Sequence, residues 1–281
     1  MRVSILLAFL AVFGLTGCQE DLANAPAYVL IGGIEIVTPD LGGSTSAVSE
    51  VWAFNGNDFI GAYPLPARIP VFSIGAAELR FQAGVRRNGI SATPDVYEFY
   101  APIERQVDLA AEQVLDLGTL TTGYRTDVKF GFIENFEDNR DRVFVTQLEG
   151  QNQLLPTTEF VRSGAFSGKL TVDADSRVVE IASNEQLRDL FTNRPYVWLE
   201  VDFRSDAPVA WGVTGQQNGV TFKRFDPTSA PRDEWTKIYF DLSELIAVAN
   251  LDELEIYLSS VLLGDNERAE IYLDNVRLLY F

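Results

Sequence analysis

The sequence predicts an all-β protein, and three observations carry that expectation. Short runs of alternating apolar and polar residues recur along most of the chain. Gly, Pro, Asn and Asp punctuate those runs at intervals suited to tight turns. Helical spacing is confined to two short polar segments, around Asn184 to Phe191 and around Leu242 to Ala249. The roughly 260 residues that follow the apolar leader exceed what one small sandwich needs, so two β domains are expected. Their seam falls at Thr121 to Thr126, giving a first domain over 28–122, a linker over 123–128 and a second domain over 129–281.

The leader comes first in order. Arg2 is followed by an apolar run from Val3 to Leu15, broken only by Ser4 and Gly14. The run is too short to span a bilayer as a helix but suits the apolar region of a secretory signal. Leu15-Thr16-Gly17-Cys18 then resembles the bacterial lipobox. The resemblance implies a signal peptide over 1–17, cleavage before Cys18, acylation of that cysteine and a tether over 18–27. Several acyl chains at about 0.8 kcal/mol per buried methylene hold a protein to a membrane lastingly. Glu20-Asp21 resembles the acidic tags of surface lipoproteins in the Bacteroidota, which implies the outer membrane and favours the cell surface over the periplasmic face. A plain solvated tether would carry the same two residues.

Six runs suit strands in the first domain: Tyr28–Val37, Val48–Phe54, Asp58–Tyr63, Ala77–Val85, Tyr97–Tyr100 and Glu104–Ala110. Asn55-Gly56 marks a hairpin and Asn88-Gly89 a second turn, since both pairs tolerate positive φ. Pro64, Pro66 and Pro70 keep the segment between them out of any central strand. As a whole this block resembles the immunoglobulin-like or transthyretin-like sandwiches of bacterial surface lipoproteins, and "GAYPLPARIPV" is similar to a segment of uncharacterised Bacteroidota lipoproteins.

The second domain alternates more sharply. In "YVWLEVDFRS", Val197, Leu199, Val201 and Phe203 share one face while Trp198, Glu200 and Asp202 share the other. Four elements recur in order: Phe136-Glu137, Ser163-Gly164, Trp235 through Asp241-Leu242, and Tyr272-Leu273-Asp274-Asn275-Val276. Together they resemble the galactose-binding-like jelly roll of many carbohydrate-binding modules, in which the Phe-Glu pair starts the first strand. The resemblance implies a structural calcium ion held by Glu137 and Asp274 with main-chain carbonyls near Ser163 and Gly164. The alternative is a solvated Glu137 and a turn-facing Asp274.

The resemblance also directs attention to sugar binding, which needs exposed aromatics flanked by carboxylates or amides. Trp198, Glu200 and Asp202, with Tyr239 and Tyr257 from neighbouring strands, supply these groups if they line one open groove. Alternatively the aromatics fill the interface with the first domain or cover a sheet edge.

Composition narrows the function. The chain has no histidine and one cysteine, so histidine-assisted nucleophilic catalysis and histidine- or cysteine-based zinc sites are excluded. A formal charge of −18 disfavours nucleic acid as a partner. The acidic clusters "ENFED" and "PRDEW" lie in no recognisable glycosidase frame. The expectation is a non-enzymatic binding or assembly lipoprotein, with a glycan as one ligand. The alternative is an adaptor bound to an outer-membrane β-barrel protein.

Overall fold

The computed structural model describes residues 25–38, 45–138, 140–217 and 219–281. Cys18, the signal peptide and the Glu20-Asp21 step lie outside the described residues. Strands dominate, and the one α-helix among the described residues is α1 (Ser243–Ala249), where the second helical segment was expected. The segment from Asn184 to Phe191 forms turns instead, with Leu187 bridged to Leu254.

The first half is a two-layer sandwich. β1 (Ala27–Ile31) and β2 (Gly33–Ile36) continue one another across Gly32. β3 (Glu50–Asn55) and β4 (Asp58–Pro64) make the hairpin expected at Asn55-Gly56, with Gly56 at φ 56°. β5 (Ala67–Val71) carries Pro70 and lies at the edge of its sheet, in keeping with the lost N–H donor. β6 (Gly75–Arg86), β7 (Pro94–Val96), β8 (Ile103–Leu109), β9 (Val114–Asp116) and β10 (Thr119–Thr122) complete it. One layer holds the orders β5-β1-β9 and β10-β2, and the other holds β4-β3-β6-β7 with β8 also on β6. Tyr97 to Tyr100, expected as a strand, is a turn whose rings point into the core. Tyr97, Phe99 and Tyr100 are all buried, with Tyr97 in ring contact with both of the others.

The second half begins at β11 (Lys129–Glu134) and continues through β12 (Phe144–Glu149), β13 (Leu155–Thr157), β14 (Ser167–Asp173) and β15 (Val178–Ser183). After these come β16 (Val197–Ser205), β17 (Val209–Gln217), β18 (Val220–Ser229), β19 (Arg232–Asp241), β20 (Glu255–Val261) and β21 (Arg268–Tyr280). Two sheets face each other, β13-β14-β21-β16-β19 with β11 on β21, and β12-β15-β20-β17-β18. Val197, Leu199, Val201 and Phe203 point into the core between them, as the alternation requires.

The opposite face of that first sheet has a separate fate. Trp198, Tyr239, Leu279 and Phe281 belong to the hydrophobic cluster of the first half, packed with Phe81, Phe99 and Tyr100. The two halves therefore share a core, and the sheet containing β16 is covered on both sides.

Candidate functional site

Five residues were expected to line an open groove: Trp198, Glu200, Asp202, Tyr239 and Tyr257. The structure buries all five, but it separates them: Trp198, Glu200, Asp202 and Tyr239 lie on the sheet of β16 and β19, and Tyr257 lies on the other sheet. Strand alternation puts Trp198, Glu200 and Asp202 on the face away from the jelly-roll core, and the first half covers that face. Trp198 meets Tyr97 edge-on at 5.3 Å between centroids, and Tyr239 meets the same ring at 4.7 Å. These aromatics fill an interface, the alternative left open by the sequence, and no sugar can stack on them.

The polar groups of this face form a closed network. Glu200 Oε1 accepts hydrogen bonds from the hydroxyls of Tyr97 at 2.7 Å and Tyr124 at 2.8 Å. Lys237 Nζ lies 3.0 Å from Glu200 Oε2, and Arg277 Nη1 lies 3.8 Å from the same oxygen. Asp202 accepts from Thr45 Oγ1 and, at 3.1 Å, from Asn275 Nδ2, with Lys237 3.6 Å away. Burial drives the Glu200 carboxyl toward the neutral form, but Lys237 and Arg277 outweigh it and hold the pKa below the usual carboxylate value. Burial pushes Tyr97, Tyr100 and Tyr124 well up, and the Glu200 charge adds to it, so all three are hydroxyl donors at neutral pH. Such a network can hold two halves in one register, and it offers no access to a substrate.

The expected calcium ligands gather around one turn. Phe136 and Glu137 follow β11 instead of starting it, with Phe136 at φ 62° and its ring against Gly168. Glu137 Oε1 accepts N–H groups from Ala165 at 2.8 Å and Phe166 at 3.0 Å. Asp274 Oδ2 accepts N–H groups from Arg162 at 3.2 Å and Ser163 at 3.0 Å, and its Oδ1 accepts from Asn275 at 2.8 Å. Gly164, at φ 72°, leaves room for the Glu137 carboxylate that no Cβ would. Calcium requires oxygen ligands, whereas the turn around Ser163 and Gly164 presents N–H donors to both carboxylates. Arranged in this way, Glu137, Ser163, Gly164 and Asp274 do not fit a calcium ion. Among the described residues no group of three acidic side chains is placed to hold a metal. Burial, joined by the nearby Asp202 charge and opposed by the N–H groups of Ser163, Asn275 and Arg162, raises the Asp274 pKa to about 7.

The open face lies on the other sheet. Ala182 of β15, Tyr257 of β20, Gly212 of β17 and Phe225 of β18 stand in register across it. Gly212 is required there: a Cβ would come within 2.7 Å of the Tyr257 ring, which lies against that glycine and is buried. Burial, followed by the charge of Glu180, pushes Tyr257 up to about 12. Glu180 of β15 and Lys223 of β18 form an ion pair although their strands are separated by β20 and β17. Three strand spacings amount to roughly 14 Å on a flat sheet, so the two side chains meet because this face is concave. At one end of the face a cleft of about 530 Å³ is lined by Thr146, Gln186, Thr214, Gln216, Thr221 and Glu255, among others. Gln216 Nε2 donates to Thr221 Oγ1 at 3.1 Å, fixing both rims of β17 and β18.

Phe225 is the aromatic that sequence reading missed. It is 55% exposed and borders the concave face beside Gly212. The alternation of Thr221, Lys223 and Phe225 along "VTFKRFD" was the available signal.

No protein-family model matches the chain, and no curated protein matches it significantly. Among solved structures it is similar to a carbohydrate-binding module of the β-sandwich superfamily, at 13% identity and a TM-score of 0.40 over 90% of this chain and 98% of the other. A family 30 carbohydrate-binding module from a cellulosomal cellulase of Clostridium thermocellum matches at 11% identity and a TM-score of 0.41, over 54% of this chain and 96% of that one. A xylan-binding domain from Paenibacillus barcinonensis matches at 11% identity and a TM-score of 0.40, over 54% and 99%. Similarity this low assigns neither a ligand nor a site.

Proposed function

We propose that this chain is a non-enzymatic binding protein, tethered to the outer membrane by an acylated Cys18, that takes carbohydrate on the concave face of its second sheet. The observation that carries the proposal is the exposed ring of Phe225 on the same concave face as the hydroxyl- and amide-lined cleft, with Lys223 between the ring and Thr221 on β18. A pyranose needs an apolar platform for its C–H face and neighbouring donors and acceptors for its hydroxyls. Phe225 supplies the first. Gln216, Thr221, Gln186 and Glu255 supply the second, with the Lys223–Glu180 pair crossing the floor. The lipid anchor is supported by the apolar run and the Leu-Thr-Gly-Cys tetrapeptide.

Affinity electrophoresis against a panel of soluble polysaccharides, followed by titration calorimetry, tests the site. Wild type should be retarded by at least one polysaccharide, and Phe225→Ala should weaken that binding about tenfold, the equivalent of some 1.4 kcal/mol of lost stacking. Because Phe225 is exposed, its removal should leave the thermal midpoint within about 2 °C of wild type. Retention of no polysaccharide by wild type, or equal binding by Phe225→Ala, overturns the reading.

A further inference from the structure

One end of the first half carries an exposed apolar tip. The loop that joins β5 to β6 exposes Phe72 at 78% and Ile74 at 53%, and Val114 at the start of β9 is 52% exposed. Register brings these residues to the point where the chain enters the fold. Ala27 pairs with Val71, Tyr28 pairs with Val114, and Gly75 pairs with Leu109. Glu112 N donates to the Pro26 carbonyl, closing the same end. In a chain of net charge −18, segments 25–34 and 69–77 contain no ionisable side chain other than Tyr28, and the charges at this end are the exposed Asp108, paired with Ala76, and Glu112.

The opposite end of the same strands holds the second half. β6 runs twelve residues from Gly75 to Arg86, roughly 40 Å at about 3.3 Å per residue. Just beyond it Asn88 N donates to the Tyr239 carbonyl at 2.9 Å, inside the interface between halves. Phe72 and Ile74 therefore sit at the pole farthest along β6 from the jelly roll.

We infer that this apolar end, with Phe72 and Ile74 at its tip and Val114 beside them, seats in the interfacial layer of the lipid bilayer that holds Cys18. The inference rests on the anchoring reading above. Ala25 is seven residue steps from Cys18, so an acylated Cys18 keeps Ala25 within about 25 Å of the bilayer at full extension. That reach selects the entry end as the one that faces lipid. Segments 69–77 and 108–114 hold no Lys or Arg, so the contact is an apolar one made by Phe72, Ile74 and Val114 that draws nothing from anionic lipid, in contrast to a basic surface helix. The consequence is an orientation: β6 stands away from the membrane and carries the concave face of the second sheet outward.

Two measurements test this and separate it from the anchor. Mass spectrometry of the membrane-extracted protein reads the acyl groups on Cys18 and tests the anchoring reading alone. For the contact, the mature chain from Gln19 carries an amino-terminal histidine tag and is held on phosphatidylcholine vesicles doped with a nickel-chelating lipid. The chain has no histidine of its own, so the tag alone fixes its attachment. Phe72→Trp and Val220→Trp are then compared on vesicles whose acyl chains are brominated. The fluorescence added at position 72 should fall by roughly half, as expected for a ring at the acyl boundary, and that at position 220 should be unchanged. Absence of quenching at 72 overturns the inference and leaves the patch to a protein partner. Equal quenching at both positions also overturns it, because the molecule would then lie flat.

Discussion

Replacing Glu200 by glutamine tests how the two halves are held together. The side chain is fully buried and carries the negative charge that faces Lys237 at 3.0 Å and Arg277 at 3.8 Å. Glu200→Gln preserves volume and keeps one oxygen to accept from Tyr97 and Tyr124, so the change is nearly confined to charge. Removing one partner of a buried ion pair costs about 3–5 kcal/mol, because the other charge is left desolvated. Lys237 retains Asp202 at 3.6 Å, which places the expected loss near the lower limit, about 3 kcal/mol. For a protein of this size that is a fall of roughly 6–12 °C in the thermal midpoint, read by calorimetry or by intrinsic tryptophan fluorescence. The pH dependence isolates the charge. The folded Glu200 carboxyl titrates below its unfolded value, so its contribution is present above the unfolded pKa of about 4.3 and is lost as pH falls through the folded pKa. The gap between wild type and Glu200→Gln should therefore be full at about pH 7 and close as the solution is acidified below about pH 4. A midpoint shift under about 2 °C at neutral pH, or a gap that persists unchanged into acid, would refute the assignment of Glu200 as the charged centre of the interface.

Two further outcomes follow from the contacts among β14, the turn before it and the Phe136-Glu137 segment. Gly168→Ala drives a Cβ to within 2.3 Å of the Phe136 ring, and such overpacking should cost about 1–3 kcal/mol in urea denaturation; a neutral substitution would mean that the ring is free to move. The thermal midpoint should be the same in millimolar calcium and in excess chelator, because N–H groups already satisfy Glu137 and Asp274. A rise with calcium would show that the turn rearranges to present its carbonyls.

Much of the fold is legible in the residues because it is written locally. Alternation in "YVWLEVDF" assigns Val197, Leu199, Val201 and Phe203 to one face, and those side chains are in the jelly-roll core. Asn55-Gly56 and Asn88-Gly89 mark turns because their backbone must adopt positive φ, as Gly56, Asn88 and Gly89 do. Pro70 announces an edge strand because it has no N–H to give to a ladder. Failures arise where local preference met a tertiary demand. Tyr97 to Tyr100 reads as a strand by its aromatic content, yet its rings are used as plugs at the joint between halves. Asn184 to Phe191 has helical spacing, but Leu187 forms an extended bridge to Leu254 and pulls the segment into turns.

The candidate site divides along the same line. Residue alternation decides that Trp198, Glu200 and Asp202 share a face, because each strand residue turns its side chain opposite to the last. What lies over that face is decided by contacts across great separations in sequence, such as Tyr97 to Glu200 and Thr45 to Asp202. An aromatic flanked by carboxylates looks the same in a string of letters whether sugar or tyrosine covers it. Only the packing of the first half shows that this face is closed and Phe225 is left in the open. The chain alone thus specifies strands, turns, charge and the lone cysteine, which are properties of neighbouring residues. Burial of a face and curvature of a sheet belong to the assembled molecule, because they depend on which distant strands come to rest against each other.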